Sequence, residues 1–174
     1  PDGLLYCAPR DASSVLVIDP GTRTLSFIDG VGEGAFKYAD ICVGPDGRLC
    51  CSPWNAPTVL VIDPCTQELS FINGAGEGSH KYRGICAGPD GLLYCAPWNA
   101  STVLVIDPWT RTLGFIKGAG ETGEKYIAIC AGPDGRLHCA PCNASTVLVI
   151  HPGTQTLSFI GSIRDEKQKY GGIC

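Results

Sequence analysis

Lys81-Tyr82-Arg83-Gly84-Ile85-Cys86-Ala87-Gly88-Pro89-Asp90-Gly91-Leu92-Leu93-Tyr94-Cys95-Ala96-Pro97-Trp98-Asn99-Ala100-Ser101-Thr102-Val103-Leu104-Val105-Ile106-Asp107-Pro108 is the stretch from which the rest of the chain can be read. Gly88-Pro89-Asp90-Gly91 is turn chemistry, because proline fixes φ and glycine accepts φ > 0. The turn separates two short apolar segments, Tyr82 to Ala87 and Leu92 to Ala96, which read as strands. Pro97-Trp98-Asn99-Ala100 makes a second turn. Thr102 to Asp107 is β-branched and apolar on both faces, the composition of a strand sandwiched between layers. Pro108 ends it. Leu113 to Ile116 supplies a fourth strand, and the glycine-rich Gly118 to Gly123 leads to Lys125-Tyr126, where the pattern restarts.

Pro-Asp-Gly stands at Pro1, Pro45, Pro89 and Pro133, Val-Leu-Val-Ile begins at Val15, Val59, Val103 and Val147, and Lys-Tyr recurs at Lys37, Lys81, Lys125 and Lys169, a period of 44. The chain is thus a single repeat domain, 1–174, made of repeats 1–44, 45–88, 89–132 and 133–174. Self-similarity of this length belongs to architectures in which each unit hides its apolar faces on its neighbours. Four short antiparallel strands per repeat predict an all-β fold, a β-propeller of four four-stranded blades.

With the strands named A to D from the axis outward, strand A is Tyr-x-x-Ile-Cys and strand D is Leu-Ser-Phe-Ile. The chain opens on strand B and ends on strand A, so Tyr170 to Cys174 is expected to complete the first blade and close the ring. The alternative is an open arc of a larger propeller, for which self-association of two arcs would cover the ends. Beginning and ending inside the repeat, the chain reads as a piece of a longer protein.

The formal net charge of -4, without any Lys/Arg run, excludes a nucleic-acid partner on electrostatic grounds. Apolar runs such as Val59 to Ile62 are far too short to span a membrane as a helix, and no leader pattern opens the sequence. No compartment is assigned by these features.

Of 11 cysteines, Cys42, Cys86, Cys130 and Cys174 recur on strand A and Cys7, Cys51, Cys95 and Cys139 on strand B. They occupy places that want small apolar residues, so buried thiols are expected there rather than a metal or redox site. His80, His138 and His151 fall at three different places in the repeat. Phosphate-loop, zinc-protease and nucleophile-elbow motifs are missing, so no cofactor is implied. Asp19, Asp63 and Asp107 precede proline and read as caps of their own turns.

The full pattern, Lys-Tyr-x-x-Ile-Cys-x-Gly-Pro-Asp-Gly-x-Leu-x-Cys-x-Pro-x-Asn-Ala-x-x-Val-Leu-Val-Ile-x-Pro, resembles the repeats of the YncE-like and NHL-like propeller group over essentially the whole chain. The resemblance implies the propeller fold and no single activity. That group includes protein-interaction scaffolds, and related propellers include metal-dependent lactonases and a streptogramin lyase. The acidic and histidine clusters those enzymes use are not recognisable in this sequence.

Propeller topology brings the D-to-A connections and the B-to-C turns to one end of the ring. The candidate rim there comprises Lys37, Tyr38, Lys81, Tyr82, Lys125, Tyr126, Lys169 and Tyr170 from the first set, with Trp54, Asn55, Trp98, Asn99 and Asn143 from the second. Aromatic faces, amides and ammonium groups together suit a small polar ligand, a glycan, a peptide or a protein segment. The reading from sequence is therefore a non-enzymatic binding or scaffolding propeller. Its alternatives are a lactonase- or lyase-type propeller enzyme working at the axis, for which Asp40 is the one acid on a strand A, and a purely structural repeat. Single-copy acids or histidines lining the axis would favour the enzyme, and a repeated aromatic rim would favour binding.

Overall fold

The computed structural model describes residues 2–164 and 166–174. Among them the first repeat forms a three-stranded antiparallel sheet, β1 (Leu5–Cys7), β2 (Ser14–Asp19) and β3 (Thr24–Asp29). The second is four-stranded, β4 (Tyr38–Val43), β5 (Leu49–Pro53), β6 (Thr58–Asp63) and β7 (Glu68–Asn73). The third holds β8 (Tyr82–Ala87), β9 (Leu93–Pro97), β10 (Thr102–Asp107) and β11 (Thr112–Lys117). The fourth holds β12 (Tyr126–Ala131), β13 (Leu137–Pro141), β14 (Val147–His151) and β15 (Thr156–Ile160). Each sheet is a meander, as four short strands joined by tight turns must be.

The turns form as their chemistry dictates. In the Pro-Asp-Gly turns Gly47 adopts φ 82°, and Asp46 and Asp90 accept from the backbone N–H two residues on, at 3.2 and 3.3 Å. Asp19, Asp63 and Asp107 accept from Gly21, Cys65 and Trp109 at 2.8, 2.9 and 2.9 Å, the Asx turns expected of them. Where His151 replaces the aspartate, a 3₁₀ turn, Pro152–Thr154, takes over, and the imidazole is 2.6 Å from Ser158 Oγ.

Three apolar layers hold the blades together, one between each neighbouring pair. The first sets Tyr6, Val15, Val17 and Ile28 of one blade against Tyr38, Leu49, Cys51, Leu60 and Ile62 of the next. The second sets Cys50, Val59, Val61 and Ile72 against Tyr82, Ile85, Leu93, Cys95, Leu104 and Ile106. The third repeats this with Tyr94, Val103, Val105 and Ile116 against Tyr126, Ile129, Leu137, Cys139, Leu148 and Ile150. Strand C contributes to both faces, which is why its burial is continuous in β6 and β10.

The inner strands touch most closely. A Cβ built on Gly84 would stand 2.9 Å from Ala128 Cα, so glycine is what lets β8 approach β12.

One expectation is corrected. Tyr170 to Cys174 forms no strand and pairs with no sheet among the described residues, and the first blade keeps three strands. The ring is open. Leu5 of β1 and Tyr170 are both exposed, so the two ends do not meet. The molecule is an all-β, open, propeller-like array of four blades.

Candidate functional site

A belt of main-chain hydrogen bonds runs round one end of the array. Lys37 N donates to Arg10 O at 2.7 Å, Trp54 N to Lys37 O at 2.9 Å, Lys81 N to Trp54 O at 2.8 Å and Trp98 N to Lys81 O at 2.9 Å. The belt continues through Lys125, Cys142 and Lys169. It fixes B-to-C turns and D-to-A connections side by side, as the sequence reading anticipated, and so decides which side chains remain free.

The lysines are not free. Lys37, Lys81 and Lys125 are buried. Lys37 Nζ donates to Asp11 O and Gly34 O at 3.1 and 2.7 Å, and Lys81 Nζ to Ala56 O and Gly78 O at 2.9 and 3.3 Å. Lys125 Nζ donates to Thr122 O at 2.6 Å, and Lys169 Nζ to Asn143 O and Glu166 O at 3.3 and 2.7 Å. The ammoniums of Lys37, Lys81 and Lys125 each donate to a carbonyl of a glycine-rich connection, and Lys169 makes the corresponding bond to Glu166 O while staying partly exposed. Burial lowers the pKa of Lys81 and Lys125.

The tyrosines are equally enclosed. Tyr38, Tyr82 and Tyr126 lie in the layers between blades, and the Tyr38 and Tyr82 hydroxyls reach Thr58 and Thr102 at 3.2 and 3.0 Å. Tyr170 alone of this set is exposed. Asn55, Asn99 and Asn143 accept from the N–H of His80, Glu124 and Gln168 at 2.8, 2.9 and 2.8 Å. Those three donors, with Phe36, occupy one repeat position at φ between 51° and 55°, a strained place for a side-chain-bearing residue. The Asn amide oxygens hold three of them there, and the Asp11 carboxylate holds Phe36 at 2.6 Å. Lys81, Tyr82 and Asn99 do line a groove of about 350 Å³ with Phe115, and Lys37, Tyr38 and Asn55 line its repeat counterpart of about 310 Å³ with Phe71.

Packed along the belt is a row of residues from positions that vary between copies, with Trp98 buried and Trp54 half-buried. The Arg10 guanidinium lies 4.4 Å from the Phe36 ring centre, Phe36 5.9 Å from His80, His80 5.1 Å from Trp54 and Trp54 5.6 Å from Trp98. Arg83, from strand β8, sits over both indoles at 5.5 and 4.8 Å. Such cation–π contacts orient a guanidinium and leave its N–H donors for another partner. Among the described residues Trp54 Nε1 is enclosed without an acceptor, an orphan donor at the centre of the row.

Beside Trp98 a cleft of about 340 Å³ opens, lined by Arg83, Trp98, Glu124, Ile127, Cys142, Gln168, Tyr170 and Gly171. Glu124 Oε2 accepts from Asn143 Nδ2 at 2.9 Å, which positions the carboxylate. Burial pushes the Cys142 thiol up, the Glu124 carboxylate adds to this, and Arg83 and Lys169 oppose it. Cys142 is therefore a protonated thiol at neutral pH, not a nucleophile. Arg83 and Glu124 were missed from sequence because their positions differ in every copy, Ala39, Arg83, Ile127 and Gly171 at one and Phe36, His80, Glu124 and Gln168 at the other, so no repeated pattern points to them.

Asp40 is used structurally. Its carboxylate accepts from Ile41 N at 2.9 Å and from Ile85 N of the next blade at 3.1 Å, joining two inner strands at a bulge. Cys50, Cys51, Cys95 and Cys139 are buried thiols, and burial raises the pKa of each. Among the described residues no group of three or more His, Cys, Asp or Glu side chains stands where it could hold a metal ion. No helix there is long and apolar enough to cross a membrane.

No family model matches the sequence, and no curated protein is significantly similar to it. Solved structures are similar in fold. Virginiamycin B lyase from Staphylococcus aureus superposes with a TM-score of 0.77 at 13% identity over 91% of this chain and 52% of its own. A streptogramin B lyase gives 0.76 at 15% identity, over 91% and 51%. An auxiliary nutrient binding protein from Bacteroides thetaiotaomicron gives 0.65 at 17% identity, over 95% and 40%. The chain spans about half the length of the lyases it matches. These likenesses define the class as propeller-like repeat proteins, an architecture shared by a lyase and a nutrient-binding protein alike.

Proposed function

We propose that the cleft beside Trp98 is a small-molecule site of the kind a propeller enzyme of the lyase or lactonase type works with, and that its occupant carries a carboxylate or polarised carbonyl next to a planar group. The observation that carries this is the convergence on one cleft of Arg83, Glu124 and Gln168, from repeat positions that differ in every copy, with Trp98, while Lys37, Lys81, Lys125, Tyr38, Tyr82 and Tyr126 are used internally. An asymmetric site suits one asymmetric ligand. The fold likeness to two lyases supports the same reading over a bare scaffold.

Each group has a physical task. Arg83 is permanently charged and offers bidentate donors to an anion or to charge developing on a carbonyl oxygen. Trp98 supplies a stacking face. Glu124, held by Asn143, is the acceptor within the cleft and the group able to take a proton from a carbon beside that carbonyl.

Thermal-shift screening of carboxylic acids and cyclic esters, followed by calorimetry, tests this. A binder of one-to-one stoichiometry that loses ~30-fold in affinity on Arg83→Ala is the expected result, about 2 kcal/mol for a charged hydrogen bond. Binders indifferent to Arg83→Ala, Trp98→Ala and Glu124→Gln would overturn it. A second reading, a peptide- or glycan-binding scaffold, draws on the outer strands, where Phe27, Phe71, Phe115 and Phe159 are exposed in every blade. Binding by that face would be lost on Phe71→Ala and Phe115→Ala and kept in Arg83→Ala.

A further inference from the structure

Two grooves on the second and third blades are built alike. One, of about 310 Å³, lies among Glu33, Lys37, Tyr38, Asn55, Thr58 and Phe71. The other, of about 350 Å³, lies among Glu77, Lys81, Tyr82, Asn99, Thr102 and Phe115, each the repeat counterpart of a residue in the first. Both are bounded by a glycine-rich connection, a B-to-C turn and an outer strand, and neither shares a residue with the cleft beside Trp98.

The buried residues of each groove keep hydrogen-bonding capacity in reserve. Lys81, 5% exposed, donates two of its three ammonium N–H groups, to Ala56 O and Gly78 O, and the third has no acceptor among the described residues. Lys37 likewise donates two, to Asp11 O and Gly34 O. The Tyr82 hydroxyl lies 3.0 Å from Thr102 Oγ1 and the Tyr38 hydroxyl 3.2 Å from Thr58 Oγ1. One proton of each pair joins the two oxygens, and the other is free to turn to a ligand. At the mouth Phe71 and Phe115 are 39% and 45% exposed, and Glu33 and Glu77 are exposed carboxylates. Glu77 acts on the Lys81 ammonium, partly offsetting the effect of its burial. One cation and one anion leave each groove formally neutral.

We propose that each groove is a carbohydrate site taking one neutral pyranose, its C–H face on the phenylalanine ring and its hydroxyls on the carboxylate, the hydroxyl pair and the spare ammonium N–H. A sugar ring has an apolar face and a rim of groups that both donate and accept, which is the complement of this lining. A hydrocarbon would leave the ammonium and hydroxyls unpaired. The balanced charge gives no preference to an anion or an amine, and the volume, at the small end of the ~300 to 1,000 Å³ usual for ligand sites, fits one ring. A peptide strand would draw on main-chain groups along β7 or β11, whereas the groups converging here are side chains. Such a site rests on the outer-strand reading above and narrows it to sugars.

The fourth repeat carries the same set, Glu121, Lys125, Tyr126, Asn143, Thr146 and Phe159, with Tyr126 hydrogen-bonded to Thr146. Equivalent sites on successive blades favour a glycan of repeating units, since binding at one site raises the local concentration of sugar at the next.

Saturation-transfer NMR of the full chain with glucose, galactose, mannose and N-acetylglucosamine, each free and as a repeating oligosaccharide, tests this. Transfer to the ring C–H protons of at least one sugar is expected, reduced in Phe71→Ala and in Phe115→Ala and lost in the triple variant that adds Phe159→Ala. All three rings are exposed, so circular dichroism of the triple variant should match the parent. Glu33→Gln, Glu77→Gln and Glu121→Gln together, all at exposed positions, should weaken binding ~10-fold by replacing charged acceptors with neutral ones. Trp109→Ala removes an exposed aromatic outside the grooves and should change nothing. No transfer to any of these sugars, transfer undiminished in the triple phenylalanine variant, or transfer that depends on Arg83 instead of the phenylalanines would each overturn the proposal. Phenylalanine-dependent binding of extended peptides without any sugar would overturn it too, and would leave the outer-strand reading standing.

Discussion

Replacing Lys81 by methionine separates a structural lysine from a recognition lysine. The side chain is 5% exposed, and its ammonium donates to Ala56 O and Gly78 O at 2.9 and 3.3 Å. Methionine keeps the apolar stem and removes both donors. A charge-assisted hydrogen bond is worth roughly 1.5 to 3 kcal/mol, and an enclosed carbonyl left without a donor costs about 1 to 3 kcal/mol. The longer bond contributes less, and removing a partly desolvated charge gives some of the loss back. The expected cost of Lys81→Met is about 2 to 3 kcal/mol. Lys81→Ala also discards buried methylenes at about 0.8 kcal/mol each, bringing the total to about 4 to 5 kcal/mol. Urea unfolding at neutral pH and fixed protein concentration, followed by the fluorescence of Trp54 and Trp98, measures both. A loss within about 0.5 kcal/mol for Lys81→Met, the range of an ordinary surface change, would refute the assignment of this lysine to the belt.

Gly84→Ala should destabilise by about 1 to 3 kcal/mol, because the new Cβ meets Ala128 Cα at 2.9 Å and only a shift of β8 against β12 relieves it; a neutral result in the same urea assay would mean that the inner strands are not so close. Stability should fall above about pH 9. The Cys50 thiol is pushed up to about 12 by burial, Cys51 and Cys95 are raised well above 9.0, and Tyr82 is pushed up to about 12. A raised folded-state pKa is stability present below the unfolded value and lost as pH climbs through the folded one, about 1.4 kcal/mol per pH unit for each fully engaged group. Lys81 and Lys125, lowered by burial, act in the opposite sense up to 10.5, but they are outnumbered. Melting temperatures that stay level between pH 9 and pH 11 would contradict this burial pattern.

Much of the architecture was legible because it rests on local chemistry repeated four times. Strands β8 and β10 match their sequence bounds, and β9 and β11 differ by one residue at their ends. Pro-Asp-Gly, Asp-Pro and the β-branched Thr-Val-Leu-Val-Ile carry their conformations with them, and a period of 44 makes every copy testify to the next.

The rim is where residue type alone says least. Lys and Tyr are residues expected at a surface or an interface, yet whether Lys81 Nζ meets water or Ala56 O depends on how near the neighbouring blade's turn stands. That distance is a long-range quantity. The repetition of Lys-Tyr had the same physical origin as that of Val-Leu-Val-Ile: each blade needs the same clamp on the next. Arg83 and Glu124 stand at positions that differ in every copy, and nothing in a linear chain says that those positions converge on one cleft.

The sequence by itself determined the class of fold, the blade unit and the turn geometry, since each follows from short-range preference multiplied by repetition. Only the tertiary structure decided that the array is open among the described residues and that Lys37, Lys81 and Lys125, with Tyr38, Tyr82 and Tyr126, are internal clamps. Those depend on the angle between successive blades, which is set by inner-strand contacts such as Gly84 on Ala128, and no local pattern encodes an angle summed over four blades.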